Sequence, residues 1–172
     1  AEQGKDIYLT IDSNIQFFVE PALNNSDKDY DWEWFHITLL DAKTGAVLAT
    51  ASSPSFDPNV RNITNYLDLM CQSPYEPGST MKTFTYMAAM ENGVYNGSET
   101  YKSGVYVTND GTEIGDWNRN GWGVISYDKG YALSSNVGVI TLIKNHMDSV
   151  ILRQSLKKLG YGKKTGISIP HE

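Results

Sequence analysis

The sequence has few of the residues that would indicate disulfides, zinc or nucleic acid. It contains one cysteine, Cys71, so no disulfide can form within the chain. Its three histidines are scattered and do not give a zinc-binding spacing with that cysteine. Lysine and arginine number 14 against 20 acidic residues, for a net charge of −6, and they form no long basic run. Because phosphate binding needs clustered basic side chains, we do not expect nucleic acid as a partner. The spacing of the histidines and the cysteine gives no reason to expect a bound metal.

The chain also lacks long apolar runs. None approaches the roughly 18 residues that indicate a membrane-spanning helix, and the first six residues are polar rather than typical of a signal peptide. If the natural protein is exported or anchored, we expect that segment to have been removed. The composition is otherwise that of a folded domain, since 40% of the 172 residues are hydrophobic and 12% are aromatic.

Local signals in the first half predict a strand, a helix and a hairpin. Residues 7–11 are rich in β-formers and predict a strand. Asp12 or Ser13 is expected to cap a helix over 14–23. The hairpin is predicted from two apolar segments joined by a polar turn that contains glycine; these are residues 34–40, 41–45 and 46–51.

The second half predicts mainly helices. One helix starts at Ser79, after a Pro-Gly break, and ends at Asn92-Gly93. A helical pattern over 128–147 is interrupted by Ser134-Ser135-Asn136, and an amphipathic helix over 148–159 is closed by Gly160. Short strand-like segments are expected in the glycine-, asparagine- and tyrosine-rich region between these helices.

The segment Ser79-Thr80-Met81-Lys82 places a hydroxyl and an amine on one helix face. A serine needs a nearby base and donors for the developing oxyanion before it acts as a nucleophile. Lys82 would lie one turn from Ser79, and Ser79 would lie at the helix N-terminus, where free N–H groups favour negative charge. Burial disfavours the ammonium form, so Lys82 is a candidate base at neutral pH.

The spacing alone does not decide the role of Ser79. The same Ser-x-x-Lys spacing occurs at Ser126 to Lys129, where the serine is expected to cap a helix, and at Ser155 to Lys158, on a charged helix face. Only Ser79 follows a Pro-Gly break and opens an apolar helix. Taken from the residues themselves, a nucleophile and a plain N-cap serine both remain open, and Ser134-Ser135-Asn136 equally fits a cap or a turn.

The residues around these motifs resemble a known family. Residues 75–84 (Tyr-Glu-Pro-Gly-Ser-Thr-Met-Lys-Thr-Phe) resemble the first active-site motif of penicillin-binding proteins, and Ser134-Ser135-Asn136 resembles their Ser-x-Asn motif. Other segments match in order, namely residues 9–12, 41–54, 56–59 and 116–117. The resemblance covers nearly the whole chain and favours the monofunctional class B members.

The resemblance implies a fold, which we expect to be α+β and DD-peptidase/β-lactamase-like, with an antiparallel sheet flanked by helices. Residues 1–172 would form a partial transpeptidase domain in which that sheet is incomplete. The run Lys163-Lys164-Thr165-Gly166 is not interpreted as the third motif, Lys-Thr-Gly, because Ile167 follows where the family has Thr or Ser. Because the strand that carries the third motif supplies one oxyanion donor in this family, we expect residues 1–172 alone to acylate slowly or not at all. Losing one such donor costs on the order of 10²–10³ in rate.

The resemblance also implies roles for individual residues. Ser79 would be the nucleophile, Lys82 its base, and Ser134 a relay for the proton that reaches the leaving amine. Asn136 would hold the substrate amide and Lys82. We expect the hydroxyls of Ser79 and Ser134 and the amine of Lys82 to lie within mutual hydrogen-bond reach. Further substrate-binding candidates are Ser135 and, at the mouth of the cleft or in a structural role, Trp117.

The implied activity is peptidoglycan D,D-transpeptidation, the acyl transfer from D-Ala-D-Ala stem peptides through a serine acyl-enzyme. Implied partners are these stem peptides, β-lactam antibiotics and cell-wall synthesis or divisome proteins. No cofactor is expected. The implied location is the extracellular face of a bacterial membrane, with an N-terminal anchor outside this chain. A β-lactamase or β-lactam sensor of the same fold, and a non-catalytic scaffold, remain the alternatives.

Overall fold

The computed structural model describes residues 4–26 and 32–167, and the chain forms two compact units that meet in sequence at Pro74 and Tyr75. Each unit is built from its own helices and antiparallel strand pairs. The described residues therefore combine α and β structure in separate segments along the chain, which confirms the predicted α+β class.

The first unit contains helix α1 (Ser13–Ser26), strands β1 (Phe35–Leu40) and β2 (Val47–Ser53), and the short helix α2 (Leu69–Gln72). Asp12 caps α1, because its carboxylate oxygen accepts hydrogen bonds from the backbone N–H groups of Asn14 and Ile15 at 2.8 and 3.1 Å. The two strands pair antiparallel, as the hairpin signal predicts. Asp41 organises the turn between them by accepting from the N–H and hydroxyl of Thr44 at 2.7 and 2.8 Å.

The prediction of a strand over residues 7–11 is wrong. This segment forms no strand, and the side chains of Ile7, Tyr8 and Leu9 are exposed. The Thr10 hydroxyl, within this segment, and the Asp12 N–H, just after it, donate to carbonyl oxygens of β2 at 2.6 and 2.8 Å. A composition rich in β-formers predicts only that a segment fits a sheet, and a strand also needs a continuous ladder of partners.

The second unit begins with a 3₁₀ turn, Gly78–Thr80, which leads into helix α3 (Met81–Glu91). Four short strands follow, and they pair antiparallel as β3 with β6 and β4 with β5. Their bounds are Thr100–Lys102 (β3), Val105–Val107 (β4), Glu113–Gly115 (β5) and Val124–Ser126 (β6). The remaining helices are α4 (Tyr127–Ala132), α5 (Asn136–His146) and α6 (Ser149–Lys158).

The core of the second unit lies where α3 and α5 pack beside β3. It consists of buried aromatic and aliphatic side chains, namely Tyr86, Ala88, Ala89, Tyr101, Tyr127, Val137, Leu142 and Met147. Tyr101 projects its ring between two helices at glycines: a Cβ built on Gly130 or Gly138 would lie 2.1 or 2.6 Å from the Tyr101 hydroxyl. Small residues at these two positions therefore let the aromatic side chain sit directly under the start of α5.

Helix ends in the second unit follow the local signals closely. The predicted break at residues 134–136 overlaps the turn between α4 and α5, which covers residues 133–135. Asp148 caps α6 by accepting from the Ile151 N–H at 2.7 Å, and Gly160 follows that helix with a positive φ of 96°. Lys163 to Gly166 lies after α6, exposed and outside any strand.

Candidate active site

The segment carrying Ser79 begins with a sharp backbone turn. Gly78 has a positive φ of 58°, a conformation that glycine adopts without the steric cost of a Cβ. The chain then makes the 3₁₀ turn before α3 starts at Met81, so the α-helix begins two residues later than Ser79, where the sequence predicted it. Ser79 is exposed in this first turn, at the end of the helix that carries the positive pole of the helix dipole.

Lys82, one turn further along, contacts the second motif. Its Nζ donates to the Ser134 backbone carbonyl oxygen at 2.6 Å and lies 3.1 Å from the Ser134 hydroxyl oxygen. Both side-chain hydrogen bonds that Lys82 makes within the described part of the chain go to Ser134, and neither goes to Ser79. Three groups were expected to lie within mutual hydrogen-bond reach. The Lys82 amine and the Ser134 hydroxyl are joined, whereas the Ser79 hydroxyl forms no hydrogen bond with either of them.

The environment of Lys82 lowers the pKa of its amine. Partial burial removes water from the ammonium and lowers the pKa of Lys82 below its ordinary value, and the negative charge of Asp116 opposes this by raising the pKa. Desolvation is the larger effect, so the net shift is downward. A lysine shifted in this direction is better suited to accept a proton near neutral pH.

Ser134 is held in an uncommon backbone conformation. Its φ is +53°, in the left-handed region that non-glycine residues rarely occupy. Two backbone hydrogen bonds of 2.9 Å fix it at the end of α4, from the Ser134 N–H to the Tyr131 carbonyl and from the Ser135 N–H to the Gly130 carbonyl. This turn directs the Ser134 carbonyl and hydroxyl to the same amine. Surrounding contacts must hold it, since such strain costs of order 1–3 kcal/mol.

Ser135 is buried and contacts protein groups, whereas the sequence predicted that it would contact substrate. Its side chain is buried, with 1% of its surface exposed, and it caps α5 by accepting from the Gly138 N–H at 2.8 Å. Its hydroxyl donates to a carboxylate oxygen of Asp116 at 2.8 Å. Because both hydrogen-bonding roles of the hydroxyl are filled by protein groups, we do not count Ser135 among the groups that contact substrate.

Asn136 forms the first residue of α5 and contacts the strand beside it. Its Nδ2 donates to the Gly115 carbonyl oxygen, at the end of β5, at 2.8 Å. Among the described residues, Lys82 donates its side-chain hydrogen bonds to Ser134, and Asn136 makes no hydrogen bond with Lys82. Asn136 is partly exposed, so its amide oxygen remains a candidate acceptor for a substrate N–H.

Trp117 lies on the surface next to this turn. Its side chain is 74% exposed, its indole Nε1 donates to the Leu133 carbonyl oxygen at 3.2 Å, and its ring meets that of Trp122 edge to face at 5.4 Å. An exposed aromatic side chain fixed by its polar end beside Ser134 can line the approach to the site. A place at the mouth of a cleft and a structural role both stay predictions for Trp117.

Asp116 is the residue that sequence reasoning left out of the site. It is 2% exposed, and its carboxylate accepts hydrogen bonds from Ser135, from the Val137 N–H at 3.0 Å and from the Gly104 N–H at 2.9 Å. The Asp-Trp pair was visible as a family-like segment before the second motif, but nothing in its local sequence shows that its partners lie up to 21 positions away.

The residues that build this site lie within a segment that matches a known protein family. The family described as "Penicillin binding protein transpeptidase domain" matches residues 35–172, which include Ser79, Lys82 and residues 134–136. The chain belongs to the penicillin-binding protein transpeptidase family. This confirms the resemblance drawn from the two motifs and the segments around them.

Curated members of the transpeptidase family are similar over the full length of the chain. Stage V sporulation protein D of Bacillus subtilis is 32% identical over 177 residues, which is 99% of this chain and 27% of the relative. The peptidoglycan D,D-transpeptidase FtsI of Escherichia coli K12 is 32% identical over 181 residues, covering all of this chain and 29% of the relative. The chain thus spans less than a third of the length of these relatives.

A solved structure shares the fold. The crystal structure of a peptidoglycan glycosyltransferase from Burkholderia ambifaria superposes with a TM-score of 0.82 at 23% identity, over 95% of this chain and 48% of that one. This confirms the predicted fold. Within residues 4–26 and 32–167, none of the helices has the length and apolar character needed to cross a membrane.

Proposed function

We propose that this chain provides the nucleophile and the base of a peptidoglycan D,D-transpeptidase, and that residues 1–172 form part of one transpeptidase domain. The observation that carries the proposal is the pairing of Lys82 with Ser134, one helical turn after an exposed serine. Family membership and relatives named as D,D-transpeptidases support it. The substrate class is then a stem peptide ending in D-Ala-D-Ala.

In the acylation step, the Ser79 oxygen attacks the carbonyl carbon of the penultimate D-Ala. Its proton passes to Lys82, whose pKa is lowered by burial. The bond to the terminal D-Ala nitrogen breaks, and that nitrogen receives the proton through the Ser134 hydroxyl, which lies 3.1 Å from the Lys82 amine. Free N–H groups at the start of the helix favour the negative charge that develops in this step.

In the second step, an amine from a neighbouring peptidoglycan strand attacks the acyl carbonyl. The amine loses a proton through the same Ser134 and Lys82 pair, and the bond to the Ser79 oxygen breaks as that oxygen takes a proton back. The product is a new peptide crosslink and a restored serine. Asn136 would hold the substrate amide during both steps, and Trp117 would border the entry.

A β-lactam would acylate the same serine, because its strained amide resembles the D-Ala-D-Ala terminus. We further propose that the whole protein acts at the extracellular face of the bacterial membrane, held there by an N-terminal anchor. Its partners would be cell-wall synthesis or divisome proteins, with no need for a cofactor. These proposals rest on the family and on the names of the relatives.

The test is a donor–acceptor assay with the full-length protein. A peptide ending in D-Ala-D-Ala is supplied with an amine acceptor, and release of D-Ala and formation of the crosslinked product are measured. Ser79→Ala should abolish both. Ser126→Ala is the matched control, because Ser126 also starts a Ser-x-x-Lys sequence but caps α4, accepting from the Lys129 N–H at 3.2 Å.

Other outcomes would support different functions. Rapid hydrolysis of a penicillin with no crosslinked product would indicate a β-lactamase. No D-Ala release and no penicillin labelling by the full-length protein would indicate a scaffold. D-Ala release that persists in Ser79→Ala would assign the nucleophile to another residue.

A further inference from the structure

The segment Gly115 to Trp117 contacts the loop that carries Ser134 at successive points. The Gly115 carbonyl accepts from Asn136, and the Trp117 indole donates to the Leu133 carbonyl. Between them, the Asp116 carboxylate accepts from the Ser135 hydroxyl and from the Val137 N–H. Three consecutive residues thus hold the loop on both sides of Ser134. We call residues 115–117 the clamp.

The centre of the clamp is itself firmly fixed. The Asp116 N–H donates to the Gly104 carbonyl at 2.7 Å, and the Gly104 N–H donates back to the other carboxylate oxygen of Asp116 at 2.9 Å. Gly104 has a φ of 114°, and a Cβ there would lie 3.3 Å from backbone atoms of Arg119 and Gly121. The carboxylate is therefore anchored to the Gly104 backbone on one side and to the start of α5 on the other.

The position of Ser134 depends on this anchoring. Its φ of +53° is unfavourable for a serine, so the residues beside it must hold the turn in place. Ser135 is held by Asp116, and Val137 is held by the same carboxylate oxygen at 3.0 Å. Loss of these contacts would let the turn relax, and the Ser134 carbonyl and hydroxyl would no longer meet the Lys82 amine at their present distances.

We propose that Asp116 is a positioning residue for the transpeptidation proposed above: its buried carboxylate sets the conformation of residues 134–136 and thereby places Ser134 against Lys82. This inference rests on the proposed function. Asp116 acts through Ser135 and Ser134, and it touches neither substrate nor the attacking serine. Its charge adds a second effect, since it opposes the deprotonation of Lys82.

These two effects predict a pattern that general destabilisation would not produce. Asp116→Asn keeps the size of the side chain but presents an amide NH₂ to donors, so we expect penicillin acylation of the full-length protein to slow by about 10- to 100-fold at its optimum. The Asp116 charge raises the pKa of Lys82. Removing this charge should therefore move the acid limb of the pH profile, the range in which the acylation rate falls as Lys82 becomes protonated, to lower pH. Among the described residues, the Ser134 carbonyl and hydroxyl face the Lys82 amine, and Asp116 is the titratable group that acts on it.

Two further variants separate positioning from charge. Ser135→Ala breaks the link between the carboxylate and the loop but leaves the charge in place, so it should slow acylation without moving the acid limb. Glu113→Gln removes an exposed carboxylate from β5, on the same segment, and should leave both the rate and the pH profile unchanged. Ser135→Ala also serves if Asp116→Asn fails to fold, as judged by circular dichroism.

A readout independent of acylation distinguishes failure of this inference from failure of the proposed function. Acetic anhydride labelling of Lys82 as a function of pH, followed by mass spectrometry of its peptide, reports the pKa of that amine. We expect Asp116→Asn to lower this pKa and Glu113→Gln to leave it in place. A folded Asp116→Asn protein with wild-type acylation and an unchanged Lys82 titration overturns the inference. Absence of acylation in the wild type, with the Lys82 titration still shifted by Asp116→Asn, overturns the proposed function instead.

Discussion

Lys82 and Ser134 are 52 positions apart in sequence and are joined at two points, through the carbonyl and the hydroxyl of the serine, at 2.6 and 3.1 Å. Helix α3 supplies the amine, and the turn between α4 and α5 supplies both oxygens. The pair has two consequences. The amine is partly desolvated and its pKa is lowered, and the serine is kept in a strained conformation that places its hydroxyl beside a base.

The strain at Ser134 can be separated from the role of its hydroxyl by two substitutions. Ser134→Ala and Ser134→Gly both remove the hydroxyl, but only glycine adopts a φ of +53° without a Cβ clash. We expect Ser134→Gly to be more stable than Ser134→Ala by about 1 kcal/mol in urea unfolding. Equal or greater stability of Ser134→Ala would show that the turn is unstrained.

The two serine caps of α4 and α5 should differ in their contribution to stability. Ser126→Ala removes one cap hydrogen bond, which costs about 1 kcal/mol. Ser135→Ala removes a cap and also leaves a buried Asp116 oxygen with one donor fewer. We expect it to cost about 1–2 kcal/mol more than Ser126→Ala, measured as the difference in unfolding free energy. A cost no larger than that of Ser126→Ala would contradict the coupling to Asp116.

A side chain at Gly138 should clash with the Tyr101 hydroxyl and lower the stability of the chain. A Cβ at this position would lie 2.6 Å from that oxygen and 2.9 Å from the ring carbon that bears it. We expect Gly138→Ala to destabilise the chain by about 1–3 kcal/mol, and by less in a Tyr101→Phe background. A double-mutant cycle with Tyr101→Phe as the control measures this. An equal cost in both backgrounds would mean that the hydroxyl is not the obstacle.

His36 should make the first unit less stable in mild acid. Burial lowers the pKa of His36 below its usual value, and Asp68 acts in the opposite, weaker direction. As pH falls below about 6.5, the unfolded chain binds a proton that the folded chain does not, so the unfolding free energy decreases until the folded-state pKa is reached. His36→Gln should flatten this decrease as pH falls below about 6.5. An unchanged slope would assign the decrease to other groups.

Local signals in the sequence were enough for elements whose contacts are local. The cap at Asp12, the hairpin turn at Asp41 and the break at residues 134–136 all depend on residues within a few positions of one another. The segment 7–11 was assigned incorrectly because the pattern describes side chains, whereas a strand depends on a partner elsewhere in the chain.

The site shows the same limit. Ser79, Lys82 and residues 134–136 were recognised as motifs, but their geometry depends on contacts across long sequence separations. Asp116 reaches the second motif 19 positions away, and the Asn136 amide donates its hydrogen bond to Gly115, 21 positions away. No periodicity or spacing encodes these pairings, because they arise only when β5 packs beside the start of α5.

Mapping the site of covalent attachment tests the central claim most directly. The full-length protein is incubated with a penicillin, digested, and the adduct is located by tandem mass spectrometry in wild type, Ser79→Ala and Lys82→Ala. The account predicts one adduct, on Ser79, that is absent from Ser79→Ala and forms at least 100-fold more slowly in Lys82→Ala, since base catalysis contributes about 10²–10⁴-fold. An adduct on another residue, or one that forms at the same rate without Lys82, would contradict it.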